Sequence, residues 1–556
     1  MNHGYEPQSK LWKQFRSKLL VILPSAVWNC STYKFQCTSF LKFESHNKRL
    51  IFMLSILIPM FLAQFVCAAQ PVQLRILYLN DFHGFAEPYQ STGSTEKLGG
   101  IAFLAEKTNL LRKDRPTLLL SAGDMIQGNP WSNLFEGKST IEVMNRMDFS
   151  AMVLGNHEFD YGQDVLKKRI QEARFPILAA NIQGLSDIKP YVIKEISGLK
   201  VVIIGLVTEA TPVTTHPRNV KGLKFLPVAD VAQKIIDKLH DQSDLVIVLS
   251  HLGLPADVQL AKAVPGINII VGGHSHTRIE KPMKIGETLI VQAWEHAKVL
   301  GILDLKIQDR KIIQYEGKLS VIQPEKNKAD PLILEIVKRY QNQAAAILDE
   351  VIGEAQVDLQ GQGSRFQETN LGNLIADILK KETQADVALI NGGSIRSDIL
   401  KGNIRMKDIL SVLPFTDHPV VLKVSGQELK DIFEYGVSDP YQTGGRFPQV
   451  SGIIFSYKPA NPPGQKITNI KIGNSPLQPE KWYTLATNDF LAAGGDEYTA
   501  LKKILDTMEE KQGISIQSNR VIFFDSSREI RDMVTDFIKG KKLVSASVEG
   551  RIQKEK

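Results

Sequence analysis

Short apolar runs of strand length alternate with helical patterns along the chain after residue 70. The runs are RILYL (75–79), TLLLS (117–121), AMVL (151–154), KVVIIGLV (200–207), DLVIVLS (244–250) and INIIVGG (267–273). This alternation is typical of α/β folds, in which each helix returns the chain to the next parallel strand. Polar segments follow these runs, at the sheet edge where such folds place their binding sites. The sequence therefore predicts an α/β (α+β) fold with its functional residues at one edge.

The later part of the chain divides into three further pieces. The runs TLIVQA (288–293) and LGILDLKI (300–307) predict strands that complete a first domain over 72–325. The pattern PLILEIVKRYQNQAAAILDE predicts a helix over 329–350, because its apolar residues recur with helical spacing. A second α/β segment over 351–550 follows, and we expect the helix to connect the two domains.

Residues 1–69 form a predicted leader that carries most of the positive charge. They hold eight Lys or Arg residues against two Glu residues, a net +6, which leaves +1 of the total +7 for the rest of the chain. A nearly neutral body argues against a nucleic acid polymer as the partner. The distribution of polar and apolar residues does not predict an oligomeric state.

An uncharged stretch from Leu50 to Ala69 follows Lys48 and Arg49 and ends in small residues. This pattern favours a secretory signal peptide cleaved near Ala68 or Ala69, while its length also suits an uncleaved signal anchor. Both interpretations predict export to a periplasmic or extracellular location, with membrane attachment only if the segment stays uncleaved. The three cysteines, Cys30, Cys37 and Cys67, precede this boundary, so the exported chain would have no thiol chemistry.

Five short segments at strand ends carry candidate metal ligands. LNDFHG, SAGD, GNHEFD, LSHLG and GGHSH supply Asp81, His83, Asp124, Asn156, His251, His274 and His276. Each segment alone also fits a turn, a helix cap or a core histidine. Five of them in order, each after a strand, favour a centre of two metal ions. Carboxylate, amide and imidazole donors without a thiolate suit a catalytic zinc, manganese, iron or cobalt site better than a closed structural zinc site.

The order DxH, GD, GNHE, H, GHxH resembles that of the calcineurin-like metallophosphoesterases. This resemblance implies a four-layer β-sandwich flanked by helices and two divalent ions, Zn, Mn or Co. It implies that one ion is held by Asp81, His83, Asp124 and His276, and the other by Asp124, Asn156, His251 and His274. It also implies an in-line attack on phosphorus by a metal-bound hydroxide. His276 is a departure, since other members often carry Asn or Gln at this position.

His157 lies in the same GNHEFD segment, and the resemblance implies that it contacts the phosphoryl group or the leaving oxygen rather than a metal. Asp160 follows three residues later. On a helical turn its carboxylate would reach the imidazole and fix its tautomer, whereas the alternative is that Asp160 caps the next helix. The resemblance favours a catalytic pair of His157 and Asp160.

Four segments of the second half resemble the C-terminal domain of the secreted 5′-nucleotidase family, which includes UDP-sugar hydrolases. They are SRFQETNLGNLIAD (364–377), ALINGGSIRSDI (388–399), VLPF (412–415) and ATNDFLAAGGDEY (486–498). The resemblance implies that Arg365, Asn391 and Arg396 contact a nucleotide, that Phe415 and Phe490 enclose its base, and that Asp496 accepts the ribose hydroxyls. From the residues alone, Phe415 also fits an ordinary core position and Arg396 also fits a pair with Asp398.

These patterns together predict an exported, metal-dependent 5′-nucleotidase that converts nucleoside 5′-monophosphates to nucleoside and phosphate. UDP-sugars and nucleoside di- and triphosphates are further candidate substrates. The alternatives are a 2′,3′-cyclic-nucleotide 2′-phosphodiesterase/3′-nucleotidase and a secreted nucleotide-binding protein without catalysis. A substrate held by both domains would require a reorientation about the 329–350 helix.

Overall fold

The computed structural model describes residues 70–555, apart from 91–93, 440–443, 507, 512–513 and 518–519. The predicted leader and the three cysteines lie outside the described residues, so the export signal stays a prediction. None of the helices in the described part of the chain has the length and apolar character needed to cross a bilayer.

Two six-stranded sheets form the first half of the described chain. Its strands are β1 (Val72–Leu79), β2 (Thr117–Ser121), β3 (Ala151–Val153), β4 (Ile177–Leu178), β5 (Ile182–Gln183), β6 (Tyr191–Ile196), β7 (Leu199–Val207), β8 (Lys224–Phe225), β9 (Leu245–His251), β10 (Ile269–Gly272), β11 (Met283–Ile285), β12 (Thr288–Gln292), β13 (Val299–Gln308) and β14 (Lys311–Val321). One sheet has the order β14-β13-β1-β2-β3-β4 and the other β11-β12-β10-β9-β7-β6. The strands β1 to β4 run parallel, as do β7, β9, β10 and β12, so that their carboxyl ends lie at common edges.

The two sheets pack face to face, and helices cover their outer faces. The α-helices are Ile101–Leu111, Pro130–Asn133, Lys138–Arg146, Gly162–Glu172, Thr211–Thr214, Val228–Leu239 and Leu254–Ala263, and the 3-10 turns are His157–Phe159, Pro217–Val220 and His240–Gln242. Leu119 of the first sheet and Ile203 of the second belong to one buried core. Ile204 and Val248 point the other way, against Ile236 of the helix Val228–Leu239. The sequences of the central strands are apolar at successive positions because both faces of each sheet are covered. The predicted four-layer sandwich is therefore present.

The predicted connecting helix spans Pro331–Leu348, and the Asp330 carboxylate accepts hydrogen bonds from its first free backbone N–H groups. Its buried face includes Ile333, Val337 and Tyr340, which belong to the core of the first half. The Trp131 indole N–H donates to the carbonyl of Val337 at 3.1 Å. The helix is thus fixed to the first half by packing and by a buried hydrogen bond.

The second half contains three mixed or antiparallel sheets and a hairpin. Its strands are β15 (Val351–Ala355), β16 (Val387–Asn391), β17 (Gly402–Arg405), β18 (Pro419–Ser425), β19 (Pro448–Ser451), β20 (Ile453–Tyr457), β21 (Ile467–Ile472), β22 (Ser475–Pro476), β23 (Trp482–Asn488), β24 (Met508–Lys511), β25 (Ile514–Gln517), β26 (Val521–Phe524), β27 (Leu543–Val544) and β28 (Ile552–Lys554). The sheet orders are β19-β16-β23-β18-β26, β22-β21-β20-β28 and β17-β15-β27, and β24 pairs with β25.

Helices of this half lie over the five-stranded sheet, with buried cores on either side. The α-helices are Asn370–Thr383, Met406–Val412, Gly426–Gly436, Asp489–Ala492, Thr499–Leu505 and Ile530–Lys541, and the 3-10 turns are Gly392–Ser394 and Gly495–Glu497. The parallel strands β16 and β23 end at Asn391 and Asn488, where the side-chain amide of Asn488 donates to Asn391 Oδ1 at 3.2 Å. The polar ends of these central strands form one edge, as in other α/β sheets.

Candidate active site

All seven candidate metal ligands lie at the carboxyl ends of central strands. Asp81 and His83 follow β1, Asp124 follows β2, and Asn156 follows β3. His251 ends β9 in the second sheet, and His274 and His276 follow the neighbouring β10. Since β1, β2 and β3 are adjacent, as are β9 and β10, the two sheets bring these loops to one place.

Five of these residues have a left-handed backbone, which is uncommon for any residue other than glycine. The φ angles are 49° at Asp81, 51° at His83, 53° at Asp124, 72° at His274 and 48° at His276. Such conformations cost free energy, persist only where surrounding structure imposes them, and cluster at functional sites. The close approach of the loops is visible at Gly155, where an added Cβ would lie 2.1 Å from Asp124 Oδ1.

Asp81, His83 and His276 form the first cluster of donor atoms. His276 Nε2 lies 3.2 Å from His83 Nε2 and 3.5 Å from Asp81 Oδ1. His83 Nδ1 donates to the carbonyl of Gln127 at 2.8 Å, which leaves the Nε2 lone pair facing the cluster. Burial and the nearby Arg396 hold the pKa of His83 well below its usual value, so that the ring is neutral and able to bind a cation.

Asp124, His251 and His274 form the second cluster. His251 Nε2 lies 3.1 Å from Asp124 Oδ2, while its Nδ1 donates to the carbonyl of Ala122 at 2.7 Å. Burial lowers the pKa of His251, but the Asp124 carboxylate outweighs it and raises the pKa to about 10. Burial, with repulsion from His251, lowers the pKa of His274 to about 3. His83 Nε2 is 3.9 Å from Asp124 Oδ2, so Asp124 lies between the two clusters.

One buried atom of this centre, Asn156 Oδ1, has no hydrogen-bond partner among the described residues. The Asn156 side-chain nitrogen donates to the carbonyl of Thr214 at 3.1 Å, and this bond fixes which end of the amide is the oxygen. An unpaired buried polar atom is costly, and a bound cation would satisfy this oxygen. The donor set of carboxylates, one amide oxygen and imidazoles, of which His251 would exchange its Nε2 proton for a cation, therefore fits a pair of divalent ions.

His157 and Asp160 are in direct contact. His157 Nδ1 lies 2.6 Å from Asp160 Oδ2, and the Thr215 hydroxyl donates to the other carboxylate oxygen at 2.6 Å. Burial lowers the pKa of His157, but Asp160 and Asp124 outweigh it and raise the pKa above its usual value. The following helix, Gly162–Glu172, has Tyr161 rather than Asp160 at its N-cap. Asp160 thus orients the imidazole instead of capping that helix.

A cavity of about 390 Å³ separates the two halves and is lined by both. The first half contributes Asp124, Asn156, His157, Asp160, His274 and His276 to the lining. The second half contributes all six predicted substrate residues: Arg365, Asn391, Arg396, Phe415, Phe490 and Asp496. The structure therefore brings the two predicted sets together, with Asp81, His83 and His251 buried beneath the cavity.

Arg396 and Phe415 reach across the cavity to the first half. Arg396 Nη2 lies 3.3 Å from His83 Nε2, and its guanidinium lies 5.9 Å from the centre of the Phe415 ring. Burial and the neighbouring Arg365 lower the pKa of Arg396 to about 10, which leaves it charged at neutral pH. Asp398 Oδ1 accepts from the backbone N–H groups of 361 and 362, so the geometry does not favour the alternative pairing with Arg396.

The Phe415 ring is stacked on His157, with ring centres 5.6 Å apart. It is half-buried at the cavity rather than enclosed in the core. Polar groups of the second half line the same cavity, where the Asn391 side-chain amide donates to Asp496 Oδ2 at 2.6 Å. Burial raises the pKa of Asp496 above its usual value. The cavity thus offers an aromatic face, guanidinium groups and a carboxylate.

Two carboxylates at the centre were missed by the sequence analysis. Glu158 accepts hydrogen bonds from the backbone N–H groups of Asp124, Met125, Ile126 and Gly155. Its position inside GNHEFD was a signal that could have identified it. Glu295 contacts His276 Nδ1 at 2.6 Å, but it follows β12 in a segment without a recognisable motif.

Comparison with known proteins identifies the family. A calcineurin-like phosphoesterase model matches residues 74–278, and a 5′-nucleotidase C-terminal domain model matches residues 351–503. A 5′-nucleotidase of Diplobatis ommata is 31% identical over 544 residues, which cover 87% of this chain and 90% of that protein. The chain belongs to the 5′-nucleotidase family.

Two further similar proteins agree with this result. A crystal structure of a 5′-nucleotidase precursor from Thermus thermophilus superposes with a TM-score of 0.78 at 32% identity, covering 87% of this chain and 99% of that one. The trifunctional nucleotide phosphoesterase protein of Bacillus subtilis is 30% identical over 77% of this chain, which spans only 32% of that protein. The predicted fold and the predicted class, a phosphoric monoester hydrolase, are confirmed. The phosphoesterase family uses divalent metals, and the two clusters are the candidate sites here.

Proposed function

We propose that this chain is an exported, metal-dependent 5′-nucleotidase that releases phosphate from nucleoside 5′-monophosphates. One observation carries the proposal: both candidate metal clusters adjoin one cavity whose other wall holds two phenylalanines, two arginines and a carboxylate. An aromatic face can stack on any nucleobase, and guanidinium groups form strong paired bonds with phosphate.

The two clusters define which residues would hold the ions. Asp81, His83 and His276 would bind the first and Asn156, His251 and His274 the second, with Asp124 shared between them. When bound, the ions would supply Lewis acidity that activates water and offsets charge on the phosphoryl oxygens. Zn, Mn and Co remain the candidate metals, since all three accept this mixture of donors.

His157 and Arg396 would act on the phosphoryl group from the protein side. Both groups line the cavity beside the clusters, and Asp160 holds the His157 ring with Nε2 as its free nitrogen. A cationic His157 would donate a hydrogen bond to the leaving oxygen, and Arg396 would neutralise charge on the transferred group. Phe415 and Phe490 would enclose the base, while Asp496 would accept the ribose hydroxyls.

Turnover would require the two halves to separate and close again. The cavity lies between them, so a substrate held by both walls has restricted routes in and out. We propose a reorientation about the helix Pro331–Leu348. The predicted signal peptide or anchor supports an exported location, and a membrane association would depend on its retention.

A hydrolysis panel tests this function. AMP, ADP, ATP, UDP-glucose, 3′-AMP and 2′,3′-cyclic AMP would be incubated with the protein and added Mn²⁺, Co²⁺ or Zn²⁺. We expect AMP to give the highest kcat/KM, with activity lost on chelation and restored by metal. A preference for 2′,3′-cyclic AMP or 3′-AMP would contradict the proposal and favour the alternative, a 2′,3′-cyclic-nucleotide 2′-phosphodiesterase/3′-nucleotidase.

His157→Ala should reduce kcat for AMP by at least about 100-fold, the usual scale for loss of a general acid. Metal content measured by plasma mass spectrometry should stay at the wild-type level, because His157 belongs to neither cluster. His240→Ala is the control, since that histidine is exposed on a distant turn. Wild-type turnover by His157→Ala would remove His157 from the mechanism.

Phe490→Ala should raise KM for AMP by about 10-fold or more, because base stacking contributes on the order of 1–3 kcal/mol. Hydrolysis of a simple aryl phosphate should change little. Phe523→Ala makes the same substitution at an exposed position on β26. Equal losses on AMP and on the aryl phosphate would show that Phe490 does not bind the base.

A wild-type chain that binds AMP but hydrolyses none of the compounds in the panel would support the alternative of a nucleotide-binding protein without catalysis.

A further inference from the structure

Glu295, His276 and Lys298 form a chain of contacts that ends at the first candidate metal cluster. Glu295 Oε2 lies 2.6 Å from His276 Nδ1, and Glu295 Oε1 lies 2.7 Å from the Lys298 ammonium. The Lys298 side chain is only 3% exposed and also lies over the rings of Trp294 and Tyr89, at 4.7 and 5.1 Å. A buried ammonium held this way fixes the ionised carboxylate in one orientation.

The contact determines which nitrogen of His276 faces the cluster. With Nδ1–H donating to Glu295, the lone pair is on Nε2, which lies among His83 Nε2 and Asp81 Oδ1. An amide side chain at this position would bind a metal only through its oxygen, so that no tautomer would have to be selected. An imidazole has two distinct nitrogens, and a carboxylate on the outer one both orients the ring and increases its basicity.

The segment that carries Glu295 is fastened to the Asp81 loop. Ala293 N–H donates to Asn80 Oδ1 at 2.7 Å, and the Asn80 amide donates to the Trp294 carbonyl at 2.6 Å. The His296 N–H donates to the Asp81 carbonyl at 2.8 Å. Hydrogen bonds on both sides of residue 295 therefore attach it to the loop that supplies Asp81.

Residues on both sides of Glu295 have the left-handed backbone seen at the candidate ligands. The φ angles are 56° at Trp294, 55° at His296 and 54° at Ala297. Three such residues in four positions store strain in a segment that supplies none of the predicted ligands. That strain is explained if the position of Glu295 matters for the neighbouring centre.

Glu295 also belongs to a third group of donors, with His276 and His296, that lies within metal-binding distance. The Lys298 ammonium already contacts the Glu295 carboxylate at 2.7 Å, and His276 Nδ1 already bonds to it. A divalent ion there would have to displace a buried cation. The group is therefore a support for His276 and not a third metal site.

We propose that Glu295, backed by Lys298, is a positioning residue that orients His276 and raises the affinity of the first cluster for its ion. The inference rests on the proposed function, because it assumes that His276 binds a metal. It predicts an effect on one ion of the two, since the second cluster has no contact with Glu295 among those described.

The test measures Mn²⁺ binding by the full chain across a range of free Mn²⁺, with bound metal counted by plasma mass spectrometry. Glu295→Gln should weaken one of two binding steps by about 10- to 100-fold and leave the other unchanged. Glu142→Gln is the matched control, because Glu142 also bonds a cation and a hydroxyl, on Arg339 and Tyr340, but lies outside the site. It should bind both ions as the wild type does.

A double-mutant cycle separates positioning from general damage. In a His276→Gln background, Glu295→Gln should cause no further loss of affinity, since the ring that it orients is gone. A full additional loss in that background would overturn the proposal, as would wild-type binding by the single variant. If the wild type binds two Mn²⁺ and hydrolyses AMP while Glu295→Gln behaves identically, only this inference fails. A wild-type chain that binds no Mn²⁺ would overturn the proposed function as well.

Discussion

Glu158 stabilises the candidate centre by binding backbone instead of metal or substrate. Four N–H groups from two ligand loops donate to its buried carboxylate. Each loop alone would leave these donors unpaired at a point where the sheet hydrogen bonds have ended. One side chain thus fixes the spacing between the Asp124 loop and the Asn156 loop.

Glu158→Gln should destabilise the protein by about 2–4 kcal/mol, because an amide NH₂ would replace an acceptor oxygen opposite buried donors. The free energy of unfolding in urea measures this effect. Glu172→Gln is the control, since Glu172 is an exposed residue at the end of the helix Gly162–Glu172. A change of less than about 0.5 kcal/mol in the free energy of unfolding of Glu158→Gln would contradict the proposed role of Glu158 in joining the two loops.

Asp257 gives the protein a specific dependence of stability on pH. Burial raises its pKa to about 8, while its Oδ1 accepts a hydrogen bond from the Ser250 hydroxyl and its Oδ2 has no partner among the described residues. The folded state keeps a proton that the unfolded chain loses above its ordinary value of 3.8. The stabilisation is therefore complete below about pH 4 and is lost as pH rises towards 8.

The free energy of unfolding should therefore fall with rising pH by about 1.4 kcal/mol per pH unit for one proton. Asp257→Asn should remove this pH dependence. Urea unfolding at pH 5, 6 and 7 measures it at constant metal concentration. Asp237→Asn, at an exposed helical position, should keep the wild-type slope. Parallel slopes in wild type and Asp257→Asn would show that Asp257 does not retain its proton on folding.

At the residue scale, the sequence predicted those candidate site residues that lie inside short motifs. Asp81 and His83 were predicted because five motif segments occur in order, although both residues have left-handed φ angles, 49° and 51°, that no sequence pattern indicated. Glu295 was not, because its contact with His276 depends on how β12 and β10 pair. That pairing is a property of the folded sheet and leaves no local pattern.

At the scale of elements, apolar periodicity was the strongest guide. It predicted the buried strands and the helix now found at Pro331–Leu348. It could not predict that β1 lies between β2 and β13, because Arg75 pairs with Asp304 across 229 positions. Nor did it show that the connecting helix packs into the core of the first half, since an amphipathic face does not identify its partner.

Two isoleucines of that helix allow a matched test of its packing. Ile333 is 2% exposed and Ile347 is 55% exposed. Ile333→Ala should lower the free energy of unfolding by about 2–5 kcal/mol, the range for deletion of a buried isoleucine. Ile347→Ala should change it by less than about 0.5 kcal/mol. Equal effects would mean that the helix is not held by its buried face.

At the scale of the whole molecule, the two halves meet through charged as well as apolar groups. Asp489 of the second half lies 3.4 Å from both His216 Nε2 and Arg218 Nη1 of the first. The His418 ring lies 3.6 Å from the same carboxylate. These contacts join the halves at the edge of the cavity, in the arrangement that brings Arg396 to His83.

Linking the halves at this point should slow turnover if substrate exchange requires separation. Arg218→Cys with Asp489→Cys, joined by a short thiol-reactive linker that contains a disulfide, should reduce kcat at saturating AMP by about 10-fold or more. Reduction of the linker should restore the rate of the unlinked double variant, which is the control. An unchanged kcat in the linked protein would contradict the proposed reorientation.

The cavity has one wall from residues before 280 and another from residues after 360. On the proposed function, substitutions in the later wall would change which molecule is recognised while every candidate metal ligand stays in place. A protein of this architecture would then evolve specificity for a new substrate without an intermediate that has lost its metal centre. The separation of the two walls along the chain makes diversification of specificity accessible to single mutations and to exchange of the whole second half.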